Sequence, residues 1–287
     1  MPKIQYKDVR FHNSSLELLA LVDGIVREYS AQGYNLTLRQ LYYQLVARSY
    51  IENNQRSYKR VGNLINDARL AGIVDWNAIT DRTRNMYQNN HWASPREIIN
   101  AAIDQYAIDT RASQENYIEV WVEKEALVDV VAKAARKLDI PYFACRGYVS
   151  QSEMWAASRR FSPNKVNYII HLGDHDPSGV DMTRDISDRM ELFGAVVEVK
   201  RIALNFDQIQ EFAPPPNPAK ITDSRSTSYI KRYGQESWEL DALNPALINR
   251  LITDTVLKLT DMGEWERQKV IQRKEKEKME SYRDMLD

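Results

Sequence analysis

Val166-Asn167-Tyr168-Ile169-Ile170-His171-Leu172, followed at once by Gly173-Asp174-His175-Asp176-Pro177-Ser178-Gly179, decides how this chain folds. The first seven residues are a short apolar run ended by a glycine, the pattern of a buried strand. The loop after them can turn at Gly173 and Gly179, is stiffened by Pro177 and carries two carboxylates. A helix over 179–193 follows. Outward from this point the same alternation recurs, with strands predicted at 117–122, 141–145 and 196–204 and helices at 126–138 and 151–161. Strands alternating with helices make a mostly parallel α/β sheet, in which polar chemistry collects beyond the carboxyl ends of the strands.

Upstream the pattern is helical. Leu16, Leu18, Leu19, Leu21, Val22, Ile25 and Val26 recur at helical spacing and Gly33 supplies a stop. Thr37 and Gln40 form a capping box that opens a second helix, with Leu41, Leu45 and Val46 facing inward and Arg39 and Tyr43 sharing a face. A third helix is predicted over 57–70, then a β-excursion or wing over 73–84, and a helix over 94–107 capped by Ser94 with Pro95 at its first position. Residues 109–116 read as a linker. Three helices and a wing suggest a winged-helix domain over 1–112, followed by the α/β domain over 113–210 and a mostly helical extension over 211–287.

Charge divides the same way. From 34 to 96 there are nine Lys/Arg against four Asp/Glu, whereas from 113 to 200 there are eleven basic and fourteen acidic residues. Over the whole chain 39 Lys/Arg nearly balance 40 Asp/Glu, so any polyanion-binding face is local. With 287 residues, 43% of them hydrophobic, the chain can bury a core and is not disordered. The lone Cys145 excludes an internal disulfide and multi-cysteine metal sites. No charge-free stretch long enough to cross a membrane is present, and the expectation is a cytoplasmic protein.

Glu123 stands just after one predicted strand, Asp174 and Asp176 just after another. If those strands are neighbours, three carboxylates converge and repel unless a hard divalent cation neutralises them, a task for which Mg²⁺, with Mn²⁺ as substitute, is suited. On spacing alone Asp174 could equally cap the next helix while Asp176 is solvated.

Val122-Glu123-Lys124-Glu125-Ala126-Leu127, Arg146-Gly147-Tyr148 and Gly173-Asp174-His175-Asp176-Pro177-Ser178-Gly179 together resemble the three successive signatures of a TOPRIM domain. The version most similar is that of the topoisomerase VI A subunit and its meiotic double-strand-break relatives. The resemblance covers about 117–204 and implies that Glu123, Asp174 and Asp176 hold Mg²⁺. These relatives carry a winged helix upstream, with a nucleophilic tyrosine in an Arg-x-x-(Tyr/Phe)-Tyr motif. Here Arg39-Gln40-Leu41-Tyr42-Tyr43 is similar, which implies Tyr43 as nucleophile, Arg39 as electrophilic helper and Glu123 as part of the catalytic set. Help is needed, because a phenol with an ordinary pKa of about 10 attacks a phosphodiester poorly unless charge in the transition state is stabilised. The product would be a 5′-phosphotyrosyl link and a free 3′-hydroxyl.

Two alternatives stand beside this. Tyr42 and Tyr43 could be half-buried packing aromatics, and TOPRIM nucleases cleave with a metal-activated water instead; a DNA-binding regulator without catalysis is a third possibility. Arg56, Lys59, Arg60 and Arg69 on the third helix, with Arg82 and Arg84 on the wing, are the candidate contacts to double-stranded DNA. Cutting both strands implies a homodimer. The chain is shorter than a typical A subunit, and an ATPase B partner, which strand passage would require, is not implied by this sequence. Glu239 and Asp241 in Trp238-Glu239-Leu240-Asp241 are expected on one side of a strand, with no role assigned.

Overall fold

The computed structural model describes residues 3–79, 89–219 and 222–285. Four parallel strands form one sheet in the order β2-β1-β3-β4: β1 Asn116–Val122, β2 Tyr142–Ala144, β3 Val166–Leu172 and β4 Glu198–Ala203. β1 and β3 pair over their full length, Asn116 opposite Val166 and Val122 opposite Leu172. That register brings Glu123 and Gly173, the first residues beyond each strand, to the same rim.

Helices flank the sheet: α5 Val128–Lys137, α6 Gln151–Ser158 and α7 Pro177–Leu192 in the crossovers, then α8 Phe206–Phe212, α9 Ser226–Tyr233, α10 Pro245–Lys258 and α11 Met262–Asp284. The upstream helices are α1 Asn13–Ala31, α2 Leu38–Ala47, α3 Gln55–Leu70 and α4 Pro95–Gln105. The mixed α/β class and the parallel sheet are therefore as the sequence pattern indicates. Among the described residues no helix is long and apolar enough to cross a membrane.

Local signals act where expected. Thr37 Oγ1 accepts from Gln40 N at 3.2 Å while Gln40 Oε1 accepts from Thr37 N at 2.9 Å, fixing the start of α2. Ser94 likewise accepts from Glu97 N. α3 begins two residues earlier than predicted, because Asn54 Oδ1 takes the Ser57 N–H at 2.8 Å.

Two expectations are corrected. Residues 109–116 are no loose linker: Arg111 is buried, donating from Nε to Leu138 O and from its other nitrogens to Thr260 Oγ1, and the Gln114 side chain bonds the Asp261 backbone. Polar side chains that read as solvated are here satisfied inside the fold. Of the β-excursion or wing expected over 73–84, residues 73–79 are described and make one parallel bridge, Leu36 with Ile79; the remainder lies outside the described residues. Glu239 and Asp241 fall not on a strand but at a 3₁₀ turn, Leu240–Ala242.

One apolar core runs through both halves. Leu19, Val22 and Ile25 of α1, Leu41 and Leu45 of α2, and Val61 and Ile65 of α3 belong to the same buried cluster as Val120 of β1, Val131 of α5 and Ile248 of α10. The boundary expected near 112 is thus packed across, not hinged. Leu16, counted with the inward face of α1, is exposed.

Candidate functional site

The strand rim, the Asp174–Gly179 loop, α2 and the 3₁₀ turn meet in one ionic centre. Glu123 Oε2 accepts the Asp174 N–H at 2.8 Å. Asp174, 6% exposed, uses both oxygens: Oδ1 accepts from Leu240 N at 2.8 Å and Oδ2 lies 2.9 Å from Lys124 Nζ. Lys124 Nζ also meets Asp241 Oδ1 at 3.0 Å and ion-pairs with Glu239. From α2, Arg39 reaches the same two acids, Nη2 to Glu239 at 2.7 Å and Nε to Asp241 Oδ2 at 3.2 Å.

Asp176 has a second task. Its Oδ1 caps α7, accepting from Gly179 N at 2.6 Å and from Ser178 Oγ at 2.9 Å. On sequence, capping had been open to Asp174; the structure gives it to Asp176. Gly179 is packed so closely that a Cβ there would collide with the Asp174 carbonyl and lie 3.1 Å from Glu123 Oε2. The loop is held from behind by Arg201 on β4, whose guanidinium donates to the carbonyl oxygens of Gly173, Asp174, Gly179 and Leu204.

Electrostatics follow from burial. Desolvation raises the Glu123 carboxyl above its ordinary value, with Asp176 adding to the rise against Lys124 and Arg201. Desolvation likewise carries Asp174 well above its ordinary range, opposed by Lys124 and reinforced by Glu123, Glu239 and Asp241. Burial works against charge on Lys124, but Asp241, Asp174 and Glu239 outweigh it and hold the ammonium protonated. Glu239 shows the reverse balance: burial raises it, yet Lys124 and Arg39 bring it below the ordinary value. Five carboxylates (Glu123, Asp174, Asp176, Glu239, Asp241) face three cations (Lys124, Arg39, Arg201), leaving a formal excess of two negative charges.

Among the described residues no group of three or more His, Cys, Asp or Glu side chains is gathered for a metal ion. The three acids expected from sequence do lie at one rim, but Asp174 is consumed by Lys124 and the Leu240 amide. Glu123 accepts through Oε2 and Asp176 through Oδ1, so at each of these two carboxyl groups the second oxygen is not the one spent on the loop. Mg²⁺ is commonly held by one or two carboxylates together with waters and substrate phosphate oxygens. Two carboxyl groups at a rim where acids outnumber cations fit that mode of binding.

Tyr43 lies on the α2 face with Arg39, whose guanidinium carbon is 5.9 Å from the ring centre. The ring is 4% exposed, and the hydroxyl accepts a 3.2 Å hydrogen bond from Asn217 Nδ2. Burial, and then the charge of Glu239, raise its pKa, so the phenol keeps its proton in this state. Tyr42 packs edge-on against both Tyr43 and Tyr58 and donates to Asn53 Oδ1 at 2.9 Å. Both tyrosines are buried and each makes a hydrogen bond.

The basic residues divide. Arg56, Lys59 and Arg60 are exposed on α3. Arg69 is turned inward, donating to the carbonyls of Trp76 and Ile79 and lying 5.8 Å over the Trp76 ring, which makes it a brace for the turn after α3. Arg82 and Arg84 lie outside the described residues. His171 and His175 are buried and scaffold the loop: His171 Nδ1 meets Thr183 Oγ1 and His175 Nδ1 meets Tyr229 OH. Burial depresses both, to about 3 and about 4, and keeps them neutral.

Sequence inspection missed Arg201 and left Lys124, Glu239 and Asp241 without roles. Arg201 stands in a strand that also carries Glu198 and Lys200, so its charge gave no distinct signal, and nothing local linked 239–241 to a strand end more than 100 residues earlier. No protein-family model, curated protein or solved structure matches this chain.

Proposed function

We propose that this chain is a Mg²⁺-dependent DNA-cleaving protein of the topoisomerase VI A type, with an N-terminal winged-helix module and a TOPRIM sheet, acting through Tyr43 as a homodimer. One observation carries it: Arg39 beside Tyr43 in the helical half is joined by Glu239, Asp241 and Lys124 to Asp174 at the strand rim. Two sets of residues more than 70 positions apart in the sequence therefore share one charged centre.

In this scheme Arg56, Lys59 and Arg60 contact phosphates and set the duplex against α2 and α3. Glu123 and Asp176 would hold Mg²⁺, which when bound supplies charge stabilisation to the scissile phosphate. Arg39 adds a guanidinium to the same developing charge. Tyr43 Oη would form the bond to phosphorus as the P–O3′ bond breaks, the phenolic proton being given up and the 3′ oxygen taking one up, through water, to leave as the 3′-hydroxyl; breaking the Asn217 bond and exposing the phenol are prerequisites. Arg201 and Gly179 keep the acid loop rigid.

A second mechanism, hydrolysis by water, is favoured by the burial of Tyr43. Duplex DNA incubated with the protein and Mg²⁺, then denatured, separates the two. Protein covalently attached to 5′ ends in the wild type and absent in Tyr43→Phe supports transesterification. Cleavage retained at the wild-type rate in Tyr43→Phe assigns the chemistry to water. Absence of cleavage with either Mg²⁺ or Mn²⁺, together with DNA binding that survives Asp174→Ala, would make the protein a non-catalytic regulator.

A further inference from the structure

Glu239 and Asp241 belong to neither sequence signature. They come from the C-terminal extension, on the turn that follows Trp238, whose backbone pairs with His175 in the acid loop through N–O distances of 2.8 and 2.9 Å. Asp241 is 1% exposed, yet it sits between two cations from different elements, Lys124 at the end of β1 and Arg39 at the start of α2. Its Oδ2 is close to Arg39 Nε but is not aligned for a hydrogen bond, so that oxygen is buried without a bonded partner.

A buried carboxylate is costly to desolvate, and an apolar side chain of similar size would fill this turn at lower cost, so packing does not account for it. What an apolar residue could not do is fix two cations at once. Arg39 is gripped at Nη2 by Glu239 and approached at Nε by Asp241, while its side chain remains 46% exposed. The guanidinium is thus held along one edge and accessible along the rest.

We propose that Asp241, assisted by Glu239, is the positioning residue of this centre: it aims the exposed edge of the Arg39 guanidinium at a phosphate brought to the rim, with Lys124 as the buried cation that holds the carboxylate in place, and so makes the C-terminal extension a working part of the site. This rests on the DNA-cleavage reading above. The carboxylate touches no reacting atom; it acts through Arg39, and its loss lets that guanidinium move by distances that matter in phosphoryl transfer, where misplacement by about 1 Å costs on the order of 100-fold.

The test compares full-length wild type, Asp241→Asn, Asp241→Glu, Arg39→Ala and Asp241→Asn/Arg39→Ala in Mg²⁺-dependent cleavage of duplex DNA. Asp241→Asn is expected to lower kcat about 100-fold with KM within about twofold of wild type, and Asp241→Glu to recover at least about tenfold of that loss. The double variant is expected to be no slower than Arg39→Ala, because the aimed group is already gone. A kcat for Asp241→Asn within about threefold of wild type, or losses that multiply in the double variant, overturns the proposal. Side-chain nitrogen NMR reads positioning without catalysis: a solvent-protected Lys124 Nζ signal and an Arg39 Nε shift set by the adjacent carboxylate are expected in the wild type, the first lost and the second displaced in Asp241→Asn. If wild type cuts no DNA, the cleavage reading fails on its own; unchanged signals in Asp241→Asn overturn the positioning role whether or not DNA is cut. Should Asp241→Asn not fold, Glu239→Gln carries the test, with kcat about tenfold lower and a displaced Arg39 signal expected, and wild-type values for both contradicting it.

Discussion

Replacing Lys124 by methionine keeps most of the side-chain volume and removes the cation on which Asp174, Glu239 and Asp241 converge. Nζ lies 2.9 Å from Asp174 and 3.0 Å from Asp241, and Asp174 and Asp241 are both buried. Breaking a buried ion pair by removing one partner costs roughly 3–5 kcal/mol, because the remaining charge is left uncompensated. At about 2 °C per kcal/mol for a chain of this size, the melting temperature should fall by about 6–10 °C near pH 8.

The pH dependence gives this loss a signature. Asp174 and Glu123 titrate above their ordinary values in the folded chain. In the window between the unfolded and folded pKa, the folded chain holds protons that the unfolded chain has released, so stability from these groups is full below the window and declines as pH rises through it. Lys124 pulls both downward; without it they rise further, and more of the deficit is relieved by protonation on acidification. Thermal melts of Lys124→Met and wild type by circular dichroism between about pH 5.5 and pH 8 should therefore show a gap that widens with pH. A gap below about 2 °C at pH 8, or one that widens towards acid, would refute the assignment of Lys124 as the neutralising cation.

Gly179→Ala places a methyl group against the Asp174 carbonyl and should cost about 1–3 kcal/mol, or a melting shift of about 2–6 °C, with cleavage lost; a wild-type melt would mean the loop has slack. Alanine at Arg56, Lys59 or Arg60 should weaken duplex DNA binding and reduce the salt slope of log affinity by about one each, without moving the melt, as read by fluorescence anisotropy across salt concentrations. Arg69→Ala should do the opposite, lowering the melt while leaving the salt slope unchanged, because its donors are spent on the Trp76 and Ile79 carbonyls.

Much of the sheet was legible because β1 and β3 are short apolar runs ended by an acid and a glycine, whereas the direct pairing of β1 with β3, with β2 on the outer side of β1, is a tertiary fact. Caps at Thr37 and Ser94 were legible for a different reason: their partners lie three residues away, so the hydrogen bond is a local property. The acid rim was half legible. Glu123, Asp174 and Asp176 could be placed at strand ends, but their division of labour depends on Leu240 N and Lys124 Nζ, which no spacing rule connects to Asp174. Residues 109–116 misled because Arg111 and Gln114 are polar yet bond to residues 27 to 149 positions away. Tyr43 was recognisable by motif, whereas its burial beneath Asn217 is a tertiary fact.

The most direct measurement is the position of manganese in crystals of the full chain soaked with Mn²⁺, located by its anomalous scattering. An ion bound between Glu123 Oε1 and Asp176 Oδ2, and missing from Glu123→Gln crystals grown the same way, is the predicted result. Well-ordered carboxylates directed away from one another, with no anomalous peak between them, would contradict it and remove the catalytic centre on which the cleavage scheme depends.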